Sequence, residues 1–282
     1  MPAGGMSTPA WRATGASTCS PFRNRERPET MTTAGCDLLC IGPHTDDAEI
    51  ALGGTLAVMA AAGRRTWVAD LTAGELASNA EPEERWAEAA EAGRALGLTG
   101  RLQLALPDGF VSASDRDQVA AVVWLLRRLR PRWVVSVPEP RRHPDHLATP
   151  ALVARAAFLA RLPALAVQAP QVRWWRAEAD GELAERWICE VVATTCLPDQ
   201  TPAVIVDVSA GWEAKLAALA CFRSQFRREA GRRPTHINDP DFLASIEDRA
   251  RAWGRRAGVT HGEALVTDAV PVVADLLDGG WR

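Results

Sequence analysis

The sequence contains no tyrosine and only one lysine, Lys215, although it carries 11 tryptophans and 32 basic residues, so its positive charge is almost entirely arginine. With arginine this abundant, a lone one says little about an anion site. There is no run of about 18 apolar residues, which argues against a membrane-spanning helix. The six cysteines, at 19, 36, 40, 189, 196 and 221, form no CxxC pair. No apolar secretory segment precedes them, so a disulfide framework is not expected and a reducing, cytoplasmic setting is. A net charge of only −3 lacks the basic excess of a nucleic-acid or anionic-membrane partner.

What is present is the composition of a soluble globular protein, 47% hydrophobic and 24% charged over 282 residues. Residues 1–30 stand apart: they are rich in Pro, Ser, Thr, Gly and Arg and show no periodicity. They are expected to be a disordered tail, or an extension upstream of a start at Met31. The fold is therefore assigned to residues 34–282 as one domain, with 1–33 outside it.

From Ala34 onward, short apolar runs alternate with helical patterns. Strands are expected at 36–42, 65–71, 101–106 and 132–137. Helices are expected at about 47–62, 81–97, 115–130, where Pro131 stops the pattern, and about 146–162. This β-α-β-α rhythm predicts an α/β fold, a Rossmann-like and mostly parallel sheet with helices on both faces. Beyond residue 165 the pattern is mixed, with strands expected at 171–177 and 201–209 and helices at 212–226 and 241–258, a C-terminal elaboration of the same domain.

In an open parallel sheet, ligands bind outside the carboxyl ends of the strands. The polar residues that interrupt this chain fall at those ends: His44 after the first strand, Thr72-Ala73-Gly74-Glu75 after the second, Pro107-Asp108-Gly109 after the third and Pro138 to His146 after the fourth. Three of the five histidines sit in two compact motifs there, His44-Thr45-Asp46-Asp47 and His143-Pro144-Asp145-His146. One histidine after a strand is usually a hydrogen-bonded structural residue; two such motifs, each with aspartate, call for another explanation. A catalytic zinc takes three His, Asp or Glu ligands and leaves one position open for water. Two ligands from the first loop and one from the fourth would supply them, with His143 and His146 equally eligible by spacing. Of two adjacent aspartates, one can bind the ion while its neighbour takes a proton from water activated there. A structural zinc site would use four closed ligands, and no cysteine lies in either loop. Gly53-Gly54 inside the first helix costs about 1 kcal/mol per glycine in helix propensity, so close packing of the helix against the sheet or a substrate is expected. A dinucleotide site is a poor alternative: no G-x-G-x-x-G turn follows the first strand, and paired aspartates repel phosphate.

The stretches PHTDDAEIALGGTL and RRHPDH resemble the paired motifs of the PIG-L/LmbE-type family of zinc-dependent N-acetylglucosamine deacetylases. DLTAGELASNAEPEERWAEAAEAGRALG, LALPDGF, RRHPDHLATPALVARAAFLA, VDVSAGWEAKLAALACFRSQF and IEDRARAWGRRAGVTHGEALV are similar to successive blocks of the branch that deacetylates N-acetylglucosaminyl malate in bacillithiol biosynthesis. The resemblance spans about residues 34–270. It implies that His44, Asp47 and His146 ligate Zn²⁺, with Fe²⁺ or Co²⁺ as alternatives. It further implies that Asp46 is the general base and that His143 steadies the oxyanion or protonates the leaving amine. Glu49 and Asp145 would support the ligands from behind, and Arg142 and Arg85 would bind the substrate's carboxylates. The implied partner is a small-molecule glycoside, in a protein of a family whose members commonly form homo-oligomers. Two departures stand out: Thr45 replaces the family's proline, and the tyrosine often found near the oxyanion is absent, which leaves that task to His143 or an arginine.

Two other readings compete with the malate substrate. One is deacetylation of another N-acetylglucosamine conjugate, a mycothiol-type inositol glycoside or an antibiotic precursor. The other is a non-catalytic metal- or sugar-binding protein, which would have no use for the second carboxylate of Asp46. His236 and His261 have no ligand spacing, and Trp174-Trp175, Trp212 and Trp253 are read as core or subunit-contact residues.

Overall fold

In the run Leu38-Leu39-Cys40-Ile41 successive side chains leave the strand on opposite sides, and every one is buried. That is the signature of a strand covered on both faces. The computed structural model describes residues 35–138, 143–176, 182–228 and 231–270, together with Met1. The chain divides into two units, 1–32 and 33–282. The expected tail over 1–33, Met1 apart, lies outside the described residues, and the helices and strands of the described residues belong to the second unit.

The elements of this unit run β1 (Cys36–Gly42), α1 (Asp47–Ala61), β2 (Thr66–Thr72), α2 (Pro82–Ala95), β3 (Gly100–Leu106), α3 (Arg116–Leu129), β4 (Pro131–Ser136) and α4 (Pro144–Leu159). There follow β5 (Val172–Trp175), β6 (Val191–Thr195), β7 (Val204–Asp207), a 3₁₀ turn, α5 (Trp212–Cys221), α6 (Arg223–Phe226), α7 (Pro240–Ala257) and β8 (Gly262–Val266). The eight strands form one sheet in the order β5-β3-β2-β1-β4-β6-β8-β7. β3, β2, β1, β4 and β6 are parallel. β5 lies antiparallel at one edge, and β8 and β7 are antiparallel at the other. The mostly parallel α/β sheet with a mixed C-terminal part is as the sequence led us to expect.

Each face of the sheet carries its own core. Leu39, Ile41 and Trp67 pack with Val122, Leu125, Leu152 and Ala156 from α3 and α4. Leu38, Cys40 and Val68 pack with Leu52, Ala89, Ala218 and Phe222, from α1, α2 and the region of α5.

Several details differ from the sequence expectation. β6 and β8 were not anticipated, because Val191-Val192 is too short a run and Glu263 interrupts the apolar pattern of β8. The helix expected over 212–226 breaks at Phe222, whose φ/ψ of −82°/61° leaves the helical region. Pro131 does end the third helical pattern, but Arg130 closes that helix in the left-handed region at φ 51°, and the proline opens β4.

The close packing expected at Gly53-Gly54 is found, and the neighbours are protein side chains. A Cβ at Gly53 would lie 3.1 Å from Lys215 Cγ, and one at Gly54 would lie 2.7 Å from Val208 Cβ.

Beneath α1 lies a fully buried charge triad. Arg101 on β3 makes two 2.7 Å bonds to Asp70 on β2 and one of 2.6 Å to Glu49 on α1. One guanidinium here faces two carboxylates, and burial pushes Glu49 up to about 7 despite Arg101.

Candidate metal centre and active site

The strand order reverses between β1 and β4, and the loops after these two strands carry both histidine motifs. Neighbouring parallel strands thus deliver residues about 100 positions apart in sequence to one place. The first loop is pinned at its start, where Pro43 O accepts from Thr72 N and Thr72 Oγ1, each at 3.0 Å. It folds back on itself so that His44 N donates to Asp47 Oδ2 at 2.8 Å. Gly42 makes room for that return, since a Cβ there would lie 3.0 Å from Asp47 Cβ. In the second motif His143 caps α4, its Nδ1 accepting from Asp145 N at 3.4 Å, and Pro144 occupies the first turn.

The cluster forms around Asp47. Its Oδ2 lies 3.2 Å from His44 Nδ1 and its Oδ1 3.2 Å from His146 Nε2. The other ring nitrogens are anchored away from it: His44 Nε2 lies 3.1 Å from Asp108 Oδ1, and His146 Nδ1 lies 3.1 Å from Val137 O. Each imidazole is thus held from behind and turns one nitrogen toward a shared carboxylate, the arrangement that orients histidine ligands. His44, Asp47 and His146 each offer a ligand atom, all within 4.8 Å of one another. This donor set of two imidazoles and a carboxylate suits a divalent transition metal.

The field at this point favours cations. Burial pulls His44 down, but Asp108, Asp145 and Asp47 outweigh it and push the imidazole up to about 12. Burial also works against ionisation of Asp47, yet His146 and His44 hold its carboxyl well below the usual carboxylate range. Asp46 behaves differently. Burial, with help from the charge of Asp47, raises its pKa, and Arg85, its Nη2 3.7 Å from Asp46 Oδ1, only partly offsets this. Asp46 is 2% exposed, and its Oδ2 has no hydrogen-bond partner. A buried carboxylate oxygen without a donor is suited to accept a proton.

The structure brings most of the sequence candidates together. His44, Asp46, Asp47, His143, His146 and Arg85 all line one cavity of about 940 Å³. His143 stands 38% exposed at its mouth, its ring centroid 4.6 Å from that of His44. Asp145 is fully buried behind it and accepts from Gly109 N at 2.8 Å and Val111 N at 3.1 Å, fixing the loop after β3. Glu49 turns away from the cluster to Arg101. Arg85, expected to meet a substrate carboxylate, is buried beside Asp46 with Nη1 3.5 Å from Gly74 O. Gly74 sits at φ 66°, and a Cβ there would lie 2.1 Å from Arg85 Nη1, so glycine leaves room for the guanidinium where it stands. Arg142 lies outside the described residues. His236 and Gln225 line the cavity, and Trp212 and Trp253 are buried.

Asp108 is the residue whose role sequence reasoning missed. In the sequence it stands only among the polar residues that follow the third strand. It holds His44 from behind while its Oδ2 accepts from Leu76 N at 3.0 Å, tying the loops after β1, β2 and β3 together. Its position at a strand end between Pro107 and Gly109 was the available signal.

These features define a class: α/β proteins with a three-donor, metal-type cluster and a free carboxylate beside it, at the point where a parallel sheet reverses its strand order. Comparison with known proteins specifies that class further. The profile described as PIG-L: GlcNAc-PI de-N-acetylase matches residues 39–157. A 1D-myo-inositol 2-acetamido-2-deoxy-α-D-glucopyranoside deacetylase of Catenulispora acidiphila is 30% identical over 196 residues, 56% of this chain and 61% of that relative's length. The conserved protein TT1542 of Thermus thermophilus superposes with a TM-score of 0.70 at 34% identity, over 85% of this chain and 97% of its own. The fold is also that of N,N'-diacetylchitobiose deacetylase from Pyrococcus horikoshii, with a TM-score of 0.64 at 24% identity over 82% of this chain and 83% of that one. The likeness to PIG-L deacetylases thus covers residues 39–157, and the chain spans about three fifths of the length of the Catenulispora relative.

Proposed function

We propose that the protein is a metal-dependent hydrolase that removes the acetyl group from an N-acetylglucosamine conjugate. The reading rests on one observation above all: His44 Nδ1 and His146 Nε2 converge on the Asp47 carboxylate, with the unpartnered Asp46 Oδ2 beside them. His44, Asp47 and His146 would hold the ion. When bound, a divalent cation supplies Lewis-acid activation of water and of the acyl carbonyl.

The chain's own residues do the rest. Asp46 takes a proton from the attacking water, whose oxygen bonds to the amide carbon. His143, at the cavity mouth, hydrogen-bonds the oxyanion and carries the proton to the nitrogen as the C–N bond breaks, leaving acetate and a free amine. No tyrosine exists to share the oxyanion, so His143 bears that role, with Arg85 fixing Asp46.

For the aglycone, the curated relative that names an inositol glycoside supports that substrate. The malate glycoside of bacillithiol biosynthesis rests on the resemblance of the downstream blocks alone and is the second substrate to test. Among the described residues no helix is long and apolar enough to cross a membrane. Assignment to the cytoplasm belongs to the same reading and follows from a small-molecule biosynthetic substrate.

The test is acetate release from N-acetylglucosaminyl inositol and N-acetylglucosaminyl malate, with and without chelator. We expect release that stops on chelation and returns with Zn²⁺. For Asp46→Asn we expect bound zinc near the wild-type level and a rate lower by about 10²–10⁴-fold. Wild-type turnover by Asp46→Asn would remove Asp46 as the base; no release from either glycoside would sink the deacetylase reading.

A further inference from the structure

The only lysine in the chain is buried in the body of the protein. Lys215 on α5 is 2% exposed, and its Nζ pairs with Glu263 Oε1 of β8 at 2.6 Å and donates to Ile50 O at 2.9 Å. Glu263, also buried, accepts from Gly54 N at 3.0 Å and Thr55 N at 2.7 Å. Arg249 of α7 makes a second bond to Ile50 O, at 3.2 Å. Backbone groups inside a helix ordinarily bond along the helix. Here three of them, within about a turn and a half of α1, meet side chains from three other elements.

The sequence is shaped to allow this. Gly53 lacks the Cβ that would lie 3.1 Å from Lys215 Cγ, and Gly54 lacks one that would lie 3.1 Å from Glu263 Oε1. Trp212 covers the ammonium, its ring 5.4 Å from Nζ. Apolar side chains would fill this space at no loss of stability in many proteins, so a buried ion pair aimed at a helix backbone points to a geometric task. That task lies one turn upstream. Ile50 is held at its carbonyl by Lys215 and Arg249, and its N–H donates to Asp46 O at 3.0 Å. Asp46 and Asp47 are the carboxylates of the site.

We propose that the Lys215–Glu263 pair is a positioning device, clamping the backbone of α1 so that the Asp46-Asp47 turn stands in register with His146. The inference rests on the reading of His44, Asp47 and His146 as a metal site. It is tested with Co²⁺ as the probe ion on the full chain, measuring the dissociation constant by chelator competition, the visible absorption spectrum of the bound ion, and the urea midpoint.

For Lys215→Met we expect both weaker Co²⁺ binding and a lower midpoint. For Lys215→Met/Glu263→Leu we expect the midpoint to recover while Co²⁺ binding stays at least about tenfold weaker than wild type, with an altered spectrum. The control Leu126→Ala, in the core on the opposite face of the sheet, should lower the midpoint and leave Co²⁺ binding unchanged. A double variant that binds Co²⁺ with the wild-type constant and spectrum overturns the clamp while leaving the metal site intact. Wild-type protein that binds no Co²⁺ overturns the metal reading itself. Should the double variant fail to fold, Gly53→Ala carries the test: it raises helix propensity while pressing on Lys215, so stability and Co²⁺ affinity are expected to move apart. Unchanged affinity there also overturns the proposal.

Discussion

Replacing Arg101 by methionine is the sharpest probe of how the site is supported. The guanidinium is fully buried and makes three short charge-assisted bonds, two of 2.7 Å to Asp70 and one of 2.6 Å to Glu49. Summing those bonds as independent terms would overshoot, because they share one group. The better measure is the cost of leaving buried carboxylates without their cation, about 3–5 kcal/mol. For a body of this size that corresponds to a fall in Tm of roughly 10 °C. The sign of the pH dependence follows from the same geometry. Without Arg101, burial and mutual repulsion hold the folded pKa values of Asp70 and Glu49 above their unfolded ones. The native state then binds more protons than the unfolded state, so stability falls as pH rises through that window. Urea denaturation of wild type and Arg101→Met at pH 8 and pH 5.5 measures both quantities. The deficit should be largest at pH 8 and smaller at pH 5.5. A deficit under about 1 kcal/mol at pH 8, or one that grows on acidification, refutes this account of the triad.

Two further outcomes are expected. Asp108→Asn removes the charge that anchors His44 Nε2 and should weaken Zn²⁺ binding by about 10–100-fold, measured by competition with a chromophoric chelator. At alkaline pH the thiols should govern stability, since the chain has no tyrosine and one lysine. Burial is the chief cause that raises Cys36 and Cys40 well above the ordinary thiol range and pushes Cys189 up to about 12. The native state therefore keeps protons that the unfolded state loses, and stability should fall above pH ~9 by up to ~4 kcal/mol per pH unit for three such thiols. Cys36→Ala/Cys189→Ala should flatten that slope in thermal melts between pH 8.5 and 10.5; an unchanged slope would exclude these thiols as the cause.

The four leading strands could be read from the sequence because parallel strands covered on both faces are continuous apolar runs. The strand order was not legible, yet the motifs after the first and fourth strands pointed to one end of a parallel sheet for His44, Asp47 and His146. Other features resisted sequence reading for a common reason: they are partnerships between single residues far apart in the chain. Asp108 is an ordinary turn aspartate until His44 arrives. Arg101 in a strand and Glu263 in another look like interruptions until Asp70, Glu49 and Lys215 neutralise them. Gly53-Gly54 signalled close packing but not what would approach. Arg85 was linked to the site by resemblance, and its burial against Gly74 and Asp46 depends on a glycine at positive φ that periodicity does not reveal.

The burial of Lys215 also determines how the molecule meets chemical reagents. An acylating reagent selective for side-chain amino groups finds no target on the outer surface, because the sole ε-ammonium is 2% exposed, paired with Glu263 on the wall of the cavity between α1, α5 and β8. Mass added at Lys215 therefore records moments when the interior opens, and its rate of appearance, read site by site, is a built-in clock for breathing of the protein.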